Sequence, residues 1–147
     1  LARVRAACER LASANCRVSL FIGADPHQIE AGARCGAPCV ELHTGAFANA
    51  WWARDTPLMQ AELARLEQGL RLARSLGLRT HAGHGLALWG TPAPHLFPSS
   101  TASIAALTDV AELHIGHALI GHAVFVGLRQ AIGDFQAEAV RARRAAR

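Results

Sequence analysis

Residues 39–45 read CVELHTG, and this stretch decides the fold. Its first five residues predict a short apolar strand, which Thr44 and Gly45 end. Glu41 and His43 lie two positions apart, so their side chains point to the same face of the strand. A carboxylate in an apolar strand must be paired or functional, because an uncompensated buried charge is costly. The stretch therefore indicates either an acid/base pair at a strand end or an ion pair between Glu41 and an arginine.

Similar strands are predicted on both sides of this one, and helical segments separate them. The strands are 18–22, 78–81 and 111–115. The helices are 1–13, 26–34 with Asp25 as N-cap, 57–76, 101–107 and a last one that follows the turn at 116–117, uses Val124, Leu128, Ala131, Ile132, Phe135 and Ala139, and runs into the Arg-rich end, whereas Trp51 and Trp52 are predicted in a loop. Strands that alternate with helices favour a parallel sheet covered by helices.

The ends of these strands favour a (β/α) barrel. Each predicted strand ends in a turn that contains Gly and polar groups, and barrels of this kind build their sites from such turns. The alternative is a four-stranded flavodoxin-like sheet. It would need a Gly-rich nucleotide loop after the first strand, and residues 23–26, GADP, do not form one.

Composition limits the chemistry of the chain. Hydrophobic residues make up 51% and charged residues 18% of the 147 residues, so a globular protein with a packed core is expected. The sequence has no Lys and no Tyr. Schiff-base lysines, P-loop lysines and phenolic acids are thereby excluded. Any proton transfer must use His, Glu, Asp or Cys.

Charge and apolar runs indicate neither a nucleic-acid nor a membrane partner. Four of the 15 basic residues lie at 141–147, and the other 11 balance the 11 acidic residues, so the net charge of +4 reflects a solvated helix end. The longest apolar stretch, 115–128, contains two histidines and is too short to span a bilayer. The cysteines have no CxxC spacing and are predicted to be free, mostly buried thiols of a cytoplasmic protein: Cys8, Cys16, Cys35 and Cys39.

Two turns repeat the same arrangement of histidine and glycine. Residues 81–85 read HAGHG and residues 114–117 read HIGH. Glycines let a ligand approach the backbone, and a following helix offers free N–H groups, so these turns predict a phosphate site. The competing hypothesis is a zinc or manganese site formed by Glu41, His43, His81, His84, His114 and His117. It is disfavoured because neither His-x-x-His pair lies on a helix and carboxylates are scarce.

Seven blocks along nearly the whole chain resemble the pyridoxine 5'-phosphate synthase family in order and approximate spacing. They are VSLFI at 18–22, QIEA at 28–31, GA at 36–37, ELHTG at 41–45, AGHGL at 82–86, ELHIGHA at 112–118 and AVFVGL at 123–128. The resemblance covers the C-terminal part of that family's barrel.

The resemblance implies a TIM barrel that condenses 3-amino-2-oxopropyl phosphate with 1-deoxy-D-xylulose 5-phosphate. The products are pyridoxine 5'-phosphate, phosphate and water. Position by position, His84 matches the family's proton donor and Glu41 a carboxylate that stabilises the transition state. Gly85, Gly116 and His117 match residues that bind the aminoketone phosphate. No metal and no organic cofactor are implied, and a cytoplasmic homo-oligomer is expected.

The chain departs from the family's pattern near the mouth of the barrel. His81 and His114 stand where Asn is usual, Gly23 replaces an Asp, and Leu88 and Gly90 stand where Tyr and Asn are expected. Residues 91–100 resemble an insertion. These changes bear on substrate closure more than on the fold.

Length and the resemblance together predict that residues 1–147 are the C-terminal half of a (β/α)8 TIM barrel, because such barrels typically have about 250 residues. The absent N-terminal half would carry a catalytic His and Glu, so this chain is expected to be inactive alone. Two alternatives stay open: a metal-dependent TIM-barrel hydrolase or epimerase that uses the strand-end histidines, and a non-catalytic half-barrel that oligomerises through its sheet edges.

Overall fold

The structure is a computed structural model that describes residues 1–88 and 98–146. Strands and helices alternate along most of this part of the chain. In order they are α1 (Ala2–Ser13), β1 (Ser19–Ile22), α2 (Pro26–Arg34), β2 (Cys39–His43), α3 (Gly45–Ala53), α4 (Thr56–Ser75), β3 (Arg79–Gly83), α5 (Ser100–Ala105), β4 (Glu112–His114), α6 (His117–Val126) and α7 (Leu128–Ala145).

The four strands form one parallel sheet in the order β1-β2-β3-β4. The predicted α/β fold with a parallel sheet is therefore confirmed. A flavodoxin-like sheet would place its first strand between the second and third. The sequential order contradicts that alternative.

One face of the sheet carries the hydrophobic core. Val40 and Leu42 of β2 and Ala82 of β3 pack with Leu66 and Leu70 of α4, and all five are at most 1% exposed. Side chains alternate between the two faces of a strand. The intervening residues of β2, β3 and β4 therefore lie on the opposite face, which is where the polar groups collect.

Local sequence accounts for the helix that follows β1. The Asp25 carboxylate accepts a hydrogen bond from the Gln28 amide at 3.0 Å, and Pro26 lies in the first turn of α2. An aspartate cap satisfies an N–H group that lacks a helical partner, and proline loses nothing there. The predicted cap at Asp25 is confirmed.

The loop predicted around the paired tryptophans is wrong, because both lie in α3. Four alanines in this segment favour a helix. Trp51 is buried and its Nε1 donates a hydrogen bond to the Pro98 carbonyl at 3.0 Å, whereas Trp52 is half exposed.

The prediction of a single last helix is also wrong, because the chain forms two helices, α6 and α7. Gly127 separates them with a φ of 81°, a conformation that ends a helix. His122 Nε2 of α6 lies 2.6 Å from Asp134 Oδ2 of α7 and ties the two helices together. Predicted features at 89–97, namely Gly90 and most of the expected insertion at 91–100, lie outside the described residues.

Helix α6 is apolar but has no buried residue. Phe125 is 87% exposed and Val124 is 78% exposed. Among the described helices, none has the length and apolar character needed to cross a membrane. The four cysteines are free thiols, as predicted, with Cys16 exposed and the other three buried.

Candidate active site

Strand register brings the polar residues of the sheet together on one face. Phe21 pairs with Glu41, Glu41 with His81, and His81 with Glu112. His43 and His114 continue this face toward the carboxyl ends of β2 and β4. The expectation that Glu41 and His43 share a face is confirmed, since both alternate with the buried residues of β2.

All five residues matched to the family's site line one cavity of about 960 Å³ at the carboxyl ends of the strands. Phe21, His114, Ile115 and Ala118 complete its lining together with Glu41, His84, Gly85, Gly116 and His117. The five matched residues, which are up to 76 positions apart in the sequence, therefore face one space. In parallel α/β proteins, sites are found at this end of the strands.

His84 has an unusual backbone conformation. It follows β3 with a φ of 85°, in the left-handed region that residues with a side chain seldom adopt, and Gly85 follows with a φ of 77°. Backbone strain of this kind is concentrated at functional sites, where the surrounding structure maintains it. Here the turn projects an imidazole from the end of the sheet into the cavity.

Thr44 fixes this turn from the neighbouring strand. Its side chain is fully buried, and its Oγ1 lies 2.6 Å from the carbonyl oxygens of both Gly83 and His84. Its backbone N–H also donates to the Gly83 carbonyl at 2.9 Å. The sequence marks Thr44 only as a strand end, and its role as a clamp depends on the register of β2 and β3.

His43 packs directly against His84. The two rings are stacked with centroids 4.4 Å apart, and the Gly45 amide donates a hydrogen bond to His43 Nδ1 at 3.2 Å. Burial, assisted by the nearby charges of His84 and Arg65, lowers the pKa of His43 despite the opposing effect of Glu41. A neutral His43 therefore supports the His84 ring at neutral pH.

Glu41 is held by a histidine rather than by an arginine. Its Oε2 accepts a hydrogen bond from His114 Nδ1 at 2.6 Å. Its Oε1 lies over Gly83, where an added Cβ would be only 2.6 Å from it. The predicted alternative of an ion pair between Glu41 and an arginine is wrong, since within the described residues the partner of the Glu41 carboxylate is His114.

Gly116 and His117 form the start of α6 beside the cavity. Gly116 is the N-cap, and no side chain bonds to the first N–H groups of the helix. Free N–H groups and the positive end of the helix dipole favour an anion at such a position. A Cβ added at Gly116 would meet no atom within 4 Å, so the fold itself does not require glycine there.

The cluster with metal-ligating geometry differs from the one that the sequence suggested. Among the described residues, His81, Glu112 and His114 have potential ligand atoms within 4.8 Å of one another. Glu112 is absent from the predicted set, because its place beside His81 depends on strand register. Partial burial raises the pKa of Glu112, but the nearby His81, Arg79 and Arg17 lower it by more, so the net pKa is below the usual value.

Comparison with protein families gives a match to one family model. The model described as "Pyridoxal phosphate biosynthesis protein PdxJ" matches residues 1–141 of the 147-residue chain. The chain belongs to the PdxJ family. This match confirms the family to which the sequence blocks point.

The PdxJ family consists of TIM-barrel enzymes that synthesise pyridoxine 5'-phosphate in vitamin B6 biosynthesis. The parallel sheet of this PdxJ chain agrees with that architecture. Its cavity lies where such a barrel has its active site, at the carboxyl ends of the strands.

Proposed function

We propose that this chain contributes to the synthesis of pyridoxine 5'-phosphate from 3-amino-2-oxopropyl phosphate and 1-deoxy-D-xylulose 5-phosphate. The observation that carries this proposal is the convergence of Glu41, His84, Gly85, Gly116 and His117 on one cavity. These residues come from strand β2 and from the turns after β3 and β4, in a chain that matches the PdxJ family over residues 1–141. Neither a metal nor an organic cofactor is required for this reaction.

In the proposed mechanism, His84 is the proton donor. Its imidazole lines the cavity from a strained turn, and histidine is the side chain that most often serves as a general acid, so His84 can protonate the phosphate oxygen that departs. Thr44 holds the backbone of this turn, and His43 stacks on the ring. Both contacts restrict the direction in which His84 delivers its proton.

Glu41 is proposed to stabilise positive charge that develops on the condensing substrates. Its carboxylate lies on the cavity side of β2, and the bond from Oε2 to His114 fixes its orientation. A carboxylate that is oriented before the reaction stabilises a developing iminium without further reorganisation. The amine that forms this iminium belongs to the substrate, which is compatible with a chain that has no Lys.

Gly85, Gly116 and His117 are proposed to bind the phosphate of the aminoketone. The start of α6 offers uncapped N–H groups, and the open space at Gly116 lets an oxygen approach the backbone. His117 lies in the first turn of the same helix and can donate a further hydrogen bond.

We also propose that residues 1–147 act as the C-terminal half of one barrel domain in a cytoplasmic homo-oligomer. An eight-stranded barrel closes on itself, whereas β1 and β4 are the edges of the four-stranded sheet in the described residues. Exposed apolar side chains such as Phe125 and Val124 of α6 support association with further protein. The chain alone is therefore proposed to lack activity.

A complementation assay tests this function. The purified chain is incubated with both substrates, alone and after co-expression with the first four βα units of another PdxJ-family barrel, and pyridoxine 5'-phosphate is measured by mass spectrometry. We expect product only from the complemented protein, and less product when His84 is replaced by Asn. Product from the chain alone would refute the proposal that it acts only as half of a barrel. A folded, complemented barrel that makes no product would refute the proposed reaction.

A further inference from the structure

A second group of side chains lies deeper in the sheet than the strand-end turns. His81 lies in the middle of β3, and Glu112 pairs with it in register at the start of β4. His114 lies two residues further along β4 and therefore points to the same face. None of these three residues has a role in the reaction proposed above beyond the contact of His114 with Glu41.

His81 has a buried nitrogen with no hydrogen-bond partner. The residue is 2% exposed, and its Nε2 is the buried side-chain polar atom that remains unsatisfied in the described part of the chain. Buried polar groups are almost always bonded, so an orphaned nitrogen calls for a physical explanation. This atom faces Glu112, whose Oε1 lies 3.8 Å away, too far for a hydrogen bond.

Both histidines use the other ring nitrogen for a partner two strands away in the sheet. His114 Nδ1 lies 2.6 Å from Glu41 Oε2, and a carboxylate only accepts, so Nδ1 carries a proton, and in the neutral ring Nε2 then has a free lone pair. His81 Nδ1 lies 3.3 Å from Ser19 Oγ, and the same tautomer leaves its Nε2 lone pair free. Histidines that bind metals are usually oriented in this way, with the second nitrogen bonded to a carboxylate or another oxygen.

Glu112 supplies the oxygen ligand between the two rings. Its Oε2 lies 3.7 Å from His114 Nε2, while Arg79 and Arg17 approach its Oε1 at 2.8 Å and 3.4 Å. Ligand atoms of a tetrahedral zinc are about 3.3 Å apart, given bond lengths of about 2.0–2.1 Å. The distance from His81 Nε2 to Glu112 Oε1 and the distance from His114 Nε2 to Glu112 Oε2 each exceed this value by about half an ångström. Glu112 and His114 lie on the edge strand, where their partly exposed side chains can make such a shift.

We propose that His81, Glu112 and His114 bind one divalent transition-metal ion of the zinc type, which ties β3 to β4. Two imidazoles, a carboxylate and an open fourth position form a ligand set that zinc adopts in proteins. Glu41 is a positioning residue for this ion, because it orients His114. The ion links the two strands next to the cavity that His114 lines, and its binding does not depend on the proposed synthase reaction.

The test uses Co²⁺ and Zn²⁺ alone with the full 147-residue chain, purified after chelation. Cobalt in a tetrahedral site gives intense visible bands, and zinc competition then reports affinity. We expect saturation at one equivalent, a higher Tm with zinc, and displacement of cobalt by zinc. Binding of the ion to the folded state alone accounts for the rise in Tm.

Matched variants assign the site. Glu41→Gln, which removes the positioning residue, should weaken zinc binding by about 10–100-fold. Zinc binding should be weakened still more by the loss of any one ligand, in His81→Asn, Glu112→Gln or His114→Asn. His27→Asn, on the exposed surface of α2, should change nothing. If His81→Asn does not fold, the exposed-edge variant His114→Asn decides the matter by the same measurement.

Three outcomes would overturn the proposal. They are the absence of stoichiometric binding, binding that survives both His114→Asn and Glu112→Gln, and a sulfur-to-cobalt charge-transfer band. The last would show that the ion is held by cysteines. None of these results depends on whether the chain makes pyridoxine 5'-phosphate.

Discussion

Replacing Gly85 with Ala tests whether the His84 turn is fixed by its surroundings. Gly85 has a φ of 77°, and a left-handed conformation costs a residue with a side chain about 1–2 kcal/mol. An added Cβ would also be 2.8 Å from Cβ of Ala48, which is 1% exposed in α3. Overpacking of a buried contact costs about 1–3 kcal/mol. The expected loss in the free energy of unfolding is thus about 2–5 kcal/mol.

Gly77→Ala is the matched control, because Gly77 has a φ of 79° and an added Cβ there meets no atom within 4 Å. It carries the backbone cost without the clash, so urea unfolding should show Gly85→Ala to be about 1–3 kcal/mol less stable than Gly77→Ala. The effect of glycine on the unfolded chain cancels in this difference. In a double-mutant cycle, Ala48→Gly should recover much of the extra loss. If the two alanine variants are equally stable, or if positions 85 and 48 show no coupling in the free energy of unfolding, the turn is not held rigidly against α3.

Gly116→Ala should leave stability toward urea nearly unchanged, but it should weaken the binding of 3-amino-2-oxopropyl phosphate by at least about tenfold in calorimetry, because the added Cβ occupies space meant for the ligand. Gly121→Ala, on the exposed side of α6, is the control. Equal binding by both variants would argue against a phosphate at Gly116. His43 should titrate below its usual pKa of 6.5 in NMR spectra, and His84→Asn should raise that pKa, since the charge of His84 lowers it. Because the folded-state pKa of His43 is lowered, its contribution to stability is present above about pH 6.5 and is lost as the pH falls below it; a pKa of His43 at or above 6.5 would contradict this. Thr44→Val should cost about 1–3 kcal/mol in chemical unfolding, since the His84 carbonyl loses this donor while the Gly83 carbonyl keeps the Thr44 N–H. A neutral effect would show that the clamp does not hold the turn.

The parallel sheet could be predicted from sequence because each strand has its own local signals. Strand β2 was expected at 39–43 and lies at Cys39–His43, since apolar residues and Gly-containing turns bound it on both sides. Helix α2 begins where Asp25 and Pro26 predict it. The loop expected around Trp51 failed because aromatic residues suggested a rim, whereas the alanines around them decide the helix.

The site could be predicted only in part, because its contacts cross between strands. Spacing alone places Glu41 and His43 on one face, and the two His-Gly turns at strand ends. It does not give the pairing of His81 with Glu112, nor the bond from His114 to Glu41, which follow from strand register. The clamp at Thr44 is hidden for the same reason, since its acceptors lie at the end of β3 and in the turn that follows it.

The proposed synthesis of pyridoxine 5'-phosphate depends most directly on His84 as the proton donor at the strand-end cavity. The most direct test is the turnover of the complemented barrel that carries either His84→Asn or, as the control, His27→Asn. We expect His84→Asn to lower kcat by about 10²–10⁴-fold with little change in binding of the aminoketone phosphate, and His27→Asn to match the parent protein. An unchanged kcat in the His84→Asn protein would contradict the account.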